Sequence, residues 1–222
     1  MFNSRAAWTS ATLVVLMLGA SLWTLALLPA DAQVPIHFNA SGAADGWAPA
    51  AVGLLLAPGL AAFVWLLMLK LPVVDPLGAN LLRSATAYAT VWIGAVAVLF
   101  AVHAMILASA LGLAAPVAIV MPIAVGLLLM TIGNAMGKLR WNYTVGIRTP
   151  WTIADERVWD KTHRFGGRAL VVAGLAITSG AFVPALQPWQ GLWIAGLTVA
   201  VSLLAVLKSY LLWRERQQAS ER

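Results

Sequence analysis

The sequence predicts an all-α integral membrane protein with six transmembrane helices and one interfacial amphipathic helix in the loop between the fourth and fifth spans. Three observations predict it. The 222 residues are 61% hydrophobic and 10% charged, with mean hydropathy +0.86, whereas a soluble domain is about one quarter charged. Apolar runs recur along the whole chain, most of them long enough to cross a hydrocarbon layer of roughly 30 Å. Finally, the 14 Lys and Arg residues all fall in alternate connections between those runs. That is the asymmetry of the positive-inside rule. It puts both termini and the central loop in the cytoplasm.

In chain order, residues 6–28 form the first span, preceded by Arg5. Ala30-Asp31-Ala32 also reads as a signal-peptidase site. The run is longer than a usual signal core, so an uncleaved span is expected; cleavage would leave five spans in the same orientation. Residues 31–47 form an extracytoplasmic loop. Val34 to Asn39 is extended, with Pro35 excluding helix, and Asn39 to Gly42 and Asp45-Gly46 are turn signals. Residues 48–69 are the second span, kinked at Pro58-Gly59. The third, 85–113, is overlong and hence tilted. Residues 117–132 are the fourth, 169–186 the fifth and 191–212 the sixth.

Residues 133–168 are the one long polar segment. They hold seven of the Lys and Arg residues and three of the eight acids. Thr152-Ile-Ala-Asp155 has the form of a capping box. A helical turn over 153–165 sets Ala154, Val158, Trp159, Thr162 and Phe165 on one side. Glu156, Arg157, Asp160, Lys161 and Arg164 lie on the other, with Asp160 and Arg164 spaced to pair. Gly166-Gly167 ends the helix. Such a helix between two spans lies flat on the bilayer, apolar side to the lipid.

Within this segment N-Y-x-V-G-I-R-T-P-W-T, starting at Asn142, and V-W-x-K-T-H-R-F-G-G, starting at Val158, resemble the signature of the SdpI family of bacterial membrane proteins. P-I-H-F-N-x-x-G-x-x-D-G-W, starting at Pro35, is similar to a small domain of unknown function (DUF1648) often fused ahead of it. Two regions follow: residues 1–84, a DUF1648-like two-span unit, and 85–222, an SdpI-like four-span region. The resemblance implies a bacterial inner-membrane immunity and signal-transduction protein that senses or resists a secreted peptide toxin and docks a cytoplasmic repressor-type regulator. The docking residues it implies are Asn142, Gly146, Arg148, Thr149, Pro150, Trp151, Trp159, Lys161, Thr162, His163 and Arg164, joined by Asn134. In the extracytoplasmic loop, Pro35, His37, Asn39, Gly42, Asp45 and Gly46 are the ligand candidates, for a metal or a peptide.

Each has a plainer reading. A single Lys or Arg near the surface is attracted to anionic lipid by about 1 kcal/mol without any protein partner. That attraction does not need Thr-Pro-Trp-Thr or His-Arg-Phe-Gly-Gly. Asn134 can simply cap the fourth helix. His37, Asn39 and Asp45 are turn formers and too few for zinc. His103, the one ionisable group deep in a span, is either a proton relay or a neutral imidazole bonded within the bundle. An alternative whole-chain reading is a small carrier or channel for an ion or small solute, with His103 on the path; another is a structural membrane protein without ligand. No enzyme is expected, because H-E-x-x-H, G-x-S-x-G and P-loop motifs are missing. The chain has no cysteine, which removes disulfides, thiolate metal sites and thiol nucleophiles. No metal, cofactor or direct nucleic-acid binding is expected; the lipid bilayer is the expected partner.

Overall fold

The computed structural model describes residues 4–39 and 41–220. Arg222, counted above among the cations, lies outside them. The elements run α1 (Ser4–Leu27), β1 (Gln33–Phe38), β2 (Ala44–Pro49), α2 (Ala50–Val74), α3 (Gly78–Arg83), α4 (Ala85–Ala110), α5 (Val117–Met136), α6 (Pro150–Ala154), α7 (Glu156–Gly180), a 3-10 turn (Pro184–Trp189) and α8 (Gln190–Ser220). Five helices are long and apolar enough to cross a membrane: α1, α2, α4, α5 and α8 with the turn before it. Many of their large apolar side chains, such as Leu22, Phe63 and Leu203, face outward. Water would disfavour that surface, whereas lipid solvates it. The chain is a helical, multi-pass membrane protein.

α1, α2 and α4 pack on one another, α5 packs on both α4 and α7, and α7 packs on α8. Trp92, Met17, Leu54 and Trp159 are among the largest fully buried side chains. His103 belongs to the first group. Its Nε2 lies 3.2 Å from both Ser21 Oγ and the Met17 carbonyl, while Ser21 Oγ donates to the Leu54 carbonyl at 2.6 Å. With the serine proton on Leu54, Nε2–H is the donor to α1. The imidazole therefore ties α1 and α4 together beside α2.

The helical bundle carries a small antiparallel hairpin that the all-α reading did not contain. β1 pairs with β2 in the register Val34↔Ala48, Pro35↔Trp47, His37↔Gly46 and Phe38↔Ala44, with irregularities on either side of His37. The extended Val34–Asn39 stretch was expected; its partner strand was not, because Ala44 to Pro49 has little strand propensity of its own. The hairpin, the α4–α5 turn and the 3-10 turn share one end of the bundle. The α2–α4 connection, residues 137–155 and the end of α8 share the other.

Three expectations for the central segment are corrected. The capping box sits three residues earlier: Thr149 Oγ1 accepts from the Thr152 amide at 3.2 Å and Thr152 Oγ1 from the Thr149 amide at 2.9 Å. Pro150, which has no amide to satisfy, opens α6. Asp155 caps the next helix instead, accepting from the amides of Arg157 and Val158 at 2.8 and 3.1 Å. Second, Gly166-Gly167 does not end the helix. α7 runs on to Gly180, so the amphipathic stretch is the first part of a long helix rather than a separate one. A glycine pair costs a helix about 1 kcal/mol per residue, and close packing outweighs that: a Cβ on Gly167 would lie 2.5 Å from the Gly133 carbonyl oxygen of α5. Third, Asp160 and Arg164 form no ion pair; among the described residues the pairs are His37–Asp45 and Asp155–Arg216.

Candidate functional site

Residues 137–149 have no regular secondary structure, so their backbone polar groups need partners from elsewhere. Asn142, fully buried, supplies four of them. Its Nδ2 donates to the carbonyls of Arg140 and Val145, and its Oδ1 accepts from the amides of Thr144 and Val145, all within 2.7–3.0 Å. Asp75 holds the loop from the α2 side, accepting from the Tyr143 amide at 3.0 Å, the Thr144 hydroxyl at 2.7 Å and the Leu77 amide at 2.7 Å. Asn80 donates to the Trp141 carbonyl, and Ser84 Oγ accepts from the Arg140 amide, both at 2.9 Å.

α7 closes the back of the loop. Trp159 is fully buried; its Nε1 donates to the Leu139 carbonyl at 2.9 Å, and its ring stacks on His163 with centroids 3.9 Å apart. His163 Nδ1 donates to the Trp159 carbonyl and Nε2 accepts from the Ile147 amide, each at 2.9 Å. One carbonyl and one amide fix a neutral tautomer. Gly146, at φ 128°, passes so close that a Cβ would lie 2.4 Å from His163 Nε2, which reserves the position for glycine. α8 completes the clamp: Thr149 Oγ1 donates to Ser209 Oγ at 3.0 Å, Trp151 packs on Tyr210 at 5.1 Å, and Arg216 pairs with Asp155 at 2.5 Å.

Burial pushes the His163 imidazole down from 6.5 to about 4, against the opposing hydrogen bond to Trp159. Between those two values the unfolded chain binds the proton and the fold does not. Stability is therefore full above about pH 6.5 and falls as pH drops toward 4, by on the order of 3 kcal/mol. Denaturant midpoints across that window should show the fall in the wild type and a smaller one in His163→Gln. Equal slopes would mean that the imidazole is not held neutral.

The docking residues expected from sequence therefore divide. Asn142, Thr149, Trp159 and His163 are buried and build the loop, with Gly146 allowing its close pass; Thr162 is buried with its hydroxyl unpartnered. Trp151 is half-buried. Asn134, Arg148, Pro150, Lys161 and Arg164 are exposed. Asn134 lies inside α5 rather than capping it. Arg157, Lys161, Arg164 and Arg168 make one outward basic stripe on α7. Sequence reasoning passed over Asp75, Asn80, Ser84, Ser209 and Arg216. Their one signal was being polar beside apolar runs, and what they bind lies about sixty residues away.

At the hairpin end, His37 Nδ1 meets Asp45 Oδ1 at 2.5 Å on the exposed side of the strands. Asn39 Oδ1 accepts from the Ser41 amide, the Ser41 hydroxyl and the Ala43 amide at 2.7–3.0 Å, and Gly42 takes φ 84°. The Asn39 contacts close the turn between the strands, and the His37–Asp45 contact bridges them. Beneath the hairpin lies a cavity of about 280 Å³, walled by Phe38, Val102, Met105, Met121 and Ile194. His37, Asn39 and Gly42 also line it; Pro35, Asp45 and Gly46 do not. Gln190, buried and unforeseen, lines it as well. Its Nε2 donates to the Gly180 carbonyl at 2.7 Å, and its Oε1 is buried with no partner. An apolar pocket of this size suits an apolar segment of a ligand.

Comparison with known proteins gives two matches along the chain. Residues 138–218 match the SdpI/YfhL protein family, and residues 12–62 match a domain of unknown function, DUF1648. The immunity protein SdpI of Bacillus subtilis (strain 168) is 34% identical over 101 residues, 46% of this chain. Those residues are also 46% of that protein, so the chain spans about half the length of the curated relative it matches. No solved structure matches the chain.

Proposed function

From the match of residues 138–218 to the SdpI/YfhL protein family and of residues 12–62 to DUF1648, we propose that the chain is an inner-membrane immunity and signalling protein. It crosses the bilayer six times, with both termini and the 137–155 loop in the cytoplasm. The part of α7 beyond Arg168 is the fifth crossing in chain order, added to the five strongly apolar helices: α7 starts beside Arg216 at the loop end and finishes beside Gln190 at the hairpin end. The cations in alternate connections support the orientation.

The hairpin-end cavity receives an apolar segment of a secreted peptide toxin, and the exposed cations Arg148, Arg157 and Lys161 dock an acidic face of a cytoplasmic regulator. The observation that carries this reading is the apolar cavity under the hairpin, at the end opposite the cations. Two variants test it in a toxin-sensitive strain. Met121→Trp fills the cavity, and Arg148→Ala with Lys161→Ala removes exposed charges whose loss changes stability by no more than about 0.5 kcal/mol. Resistance should fall about tenfold in the first, the loss of one well-packed apolar anchor. Capture of the regulator should fall in the second while its membrane level is kept. Unchanged resistance and capture in both would overturn the proposal.

A further inference from the structure

A groove of about 450 Å³ runs between α5 and α7 near the loop end, lined by Asn134, Gly137, Arg164, Gly167, Arg168 and Val172. Three features distinguish it from a plain helix crossing. Gly133, Gly137 and Gly167 give it a floor without side chains, and Arg164 lies along Gly137, its Cγ 3.5 Å from where a Cβ would stand. The guanidiniums of Arg164 and Arg168 and the amide of Asn134 border it, and none has an ion-pair or hydrogen-bond partner among the described residues. Asp160, the acid spaced to neutralise Arg164, does not do so.

Along α7, positions 164, 168, 172 and 175 follow one face. The first two are cationic; Val172 and Leu175 are apolar and 68% and 58% exposed. Arg168 is the last charge before an uninterrupted apolar stretch, so the pair stands at the depth where headgroups meet acyl chains.

We propose that this groove is a binding site for one anionic phospholipid. Its phosphate sits between Arg164 and Arg168 with Asn134 donating, and one acyl chain lies along Val172 and Leu175. A guanidinium pair offers paired N–H donors to phosphate oxygens, and basic pockets between spanning helices are suited to such headgroups. A free phosphate would satisfy the arginines but not the exposed apolar stripe. The site rests on the membrane nature of the chain and on none of the immunity reading.

The test is lipid retention by the full chain, purified from nanodiscs of equal palmitoyl-oleoyl phosphatidylglycerol and phosphatidylcholine and weighed by native mass spectrometry. The wild type should keep one phosphatidylglycerol in preference to phosphatidylcholine. Arg164→Gln with Arg168→Gln should lower that retention roughly thirty-fold, the loss of two headgroup contacts. Arg148→Gln with Lys161→Gln, which removes the same charge elsewhere, should leave it unchanged. Val172→Trp, which blocks the groove from an exposed position and keeps both arginines, should also lose the lipid. Equal losses in the two charge-removing variants would reduce the effect to general attraction and overturn the site. Displacement by an excess of inorganic phosphate would do the same by making the ligand a free anion, and so would retention of the lipid by Val172→Trp.

Discussion

Replacing Trp159 with alanine is expected to destabilise the fold by about 4 kcal/mol, the range for deleting a buried aromatic ring. The ring is fully enclosed, so its removal opens a cavity that rigid neighbours cannot close. It also strips the Leu139 carbonyl of its donor and His163 of its stacking surface. Both losses fall on the same loop, because Leu139 opens it and His163 holds the Ile147 amide. Unfolding in detergent, followed by circular dichroism, measures this directly. Lys161→Ala, two residues along but exposed, should shift the midpoint by no more than about 0.5 kcal/mol. A Trp159→Ala shift as small as that would mean that the indole is a surface group. With the indole buried, any loss of resistance in a Trp159 variant reports the collapse of the loop rather than a lost contact with a partner.

Gly167→Leu is expected to cost about 3 kcal/mol or more. Its Cβ would stand 2.5 Å from the Gly133 carbonyl oxygen, and that oxygen belongs to the α5 backbone and cannot rotate away. The crossing is made of such contacts. A Cβ on Gly174 would lie 2.5 Å from the Gly126 oxygen, and one on Gly126 2.1 Å from Thr178 Oγ1. In a lipid environment the hydrophobic effect does not drive helices together, so close backbone approach supplies much of their attraction. Forcing α5 and α7 apart removes that attraction along the helix as well as at one residue. Gly196→Ala is the matched contrast: nothing lies within 4 Å of its Cβ position, and a helical alanine there should be neutral or stabilising by about 0.5–1 kcal/mol. Thermal melts of the two variants should differ widely; coincident melts would show that α5 and α7 are not in close contact.

Asn134 and Arg164 carry different weight in the two readings of the chain. The family resemblance places both among regulator-docking residues, whereas the groove puts both against a phosphate. Asn142 and His163 illustrate the opposite case. Each reads in sequence as a polar residue available to a partner, and each is in fact committed to the loop's own amides and carbonyls. Polar type is visible in a sequence, but whether the side chain faces outward depends on what backbone lies beside it. Trp151 and Trp159 make the same point with one residue type: the first packs at the surface on Tyr210, the second is enclosed.

Local hydropathy was enough to establish that apolar helices cross a membrane, and the sequence marked 133–168 as the polar segment between them. It also marked the stretch from Val34 to Asn39 as extended. These follow from properties that add residue by residue along a local stretch, such as hydropathy, charge and the exclusion of helix by Pro35. Packing over the whole chain was needed to show that Gly166-Gly167 continues a helix, that Asp75 and Ser84 hold a loop some sixty residues distant, and that Gln190 is buried beside the hairpin-end cavity. The reason is physical. A glycine breaks a helix when water faces it and joins two helices when another backbone does, and the identity of the neighbour is set by the packing of the whole chain.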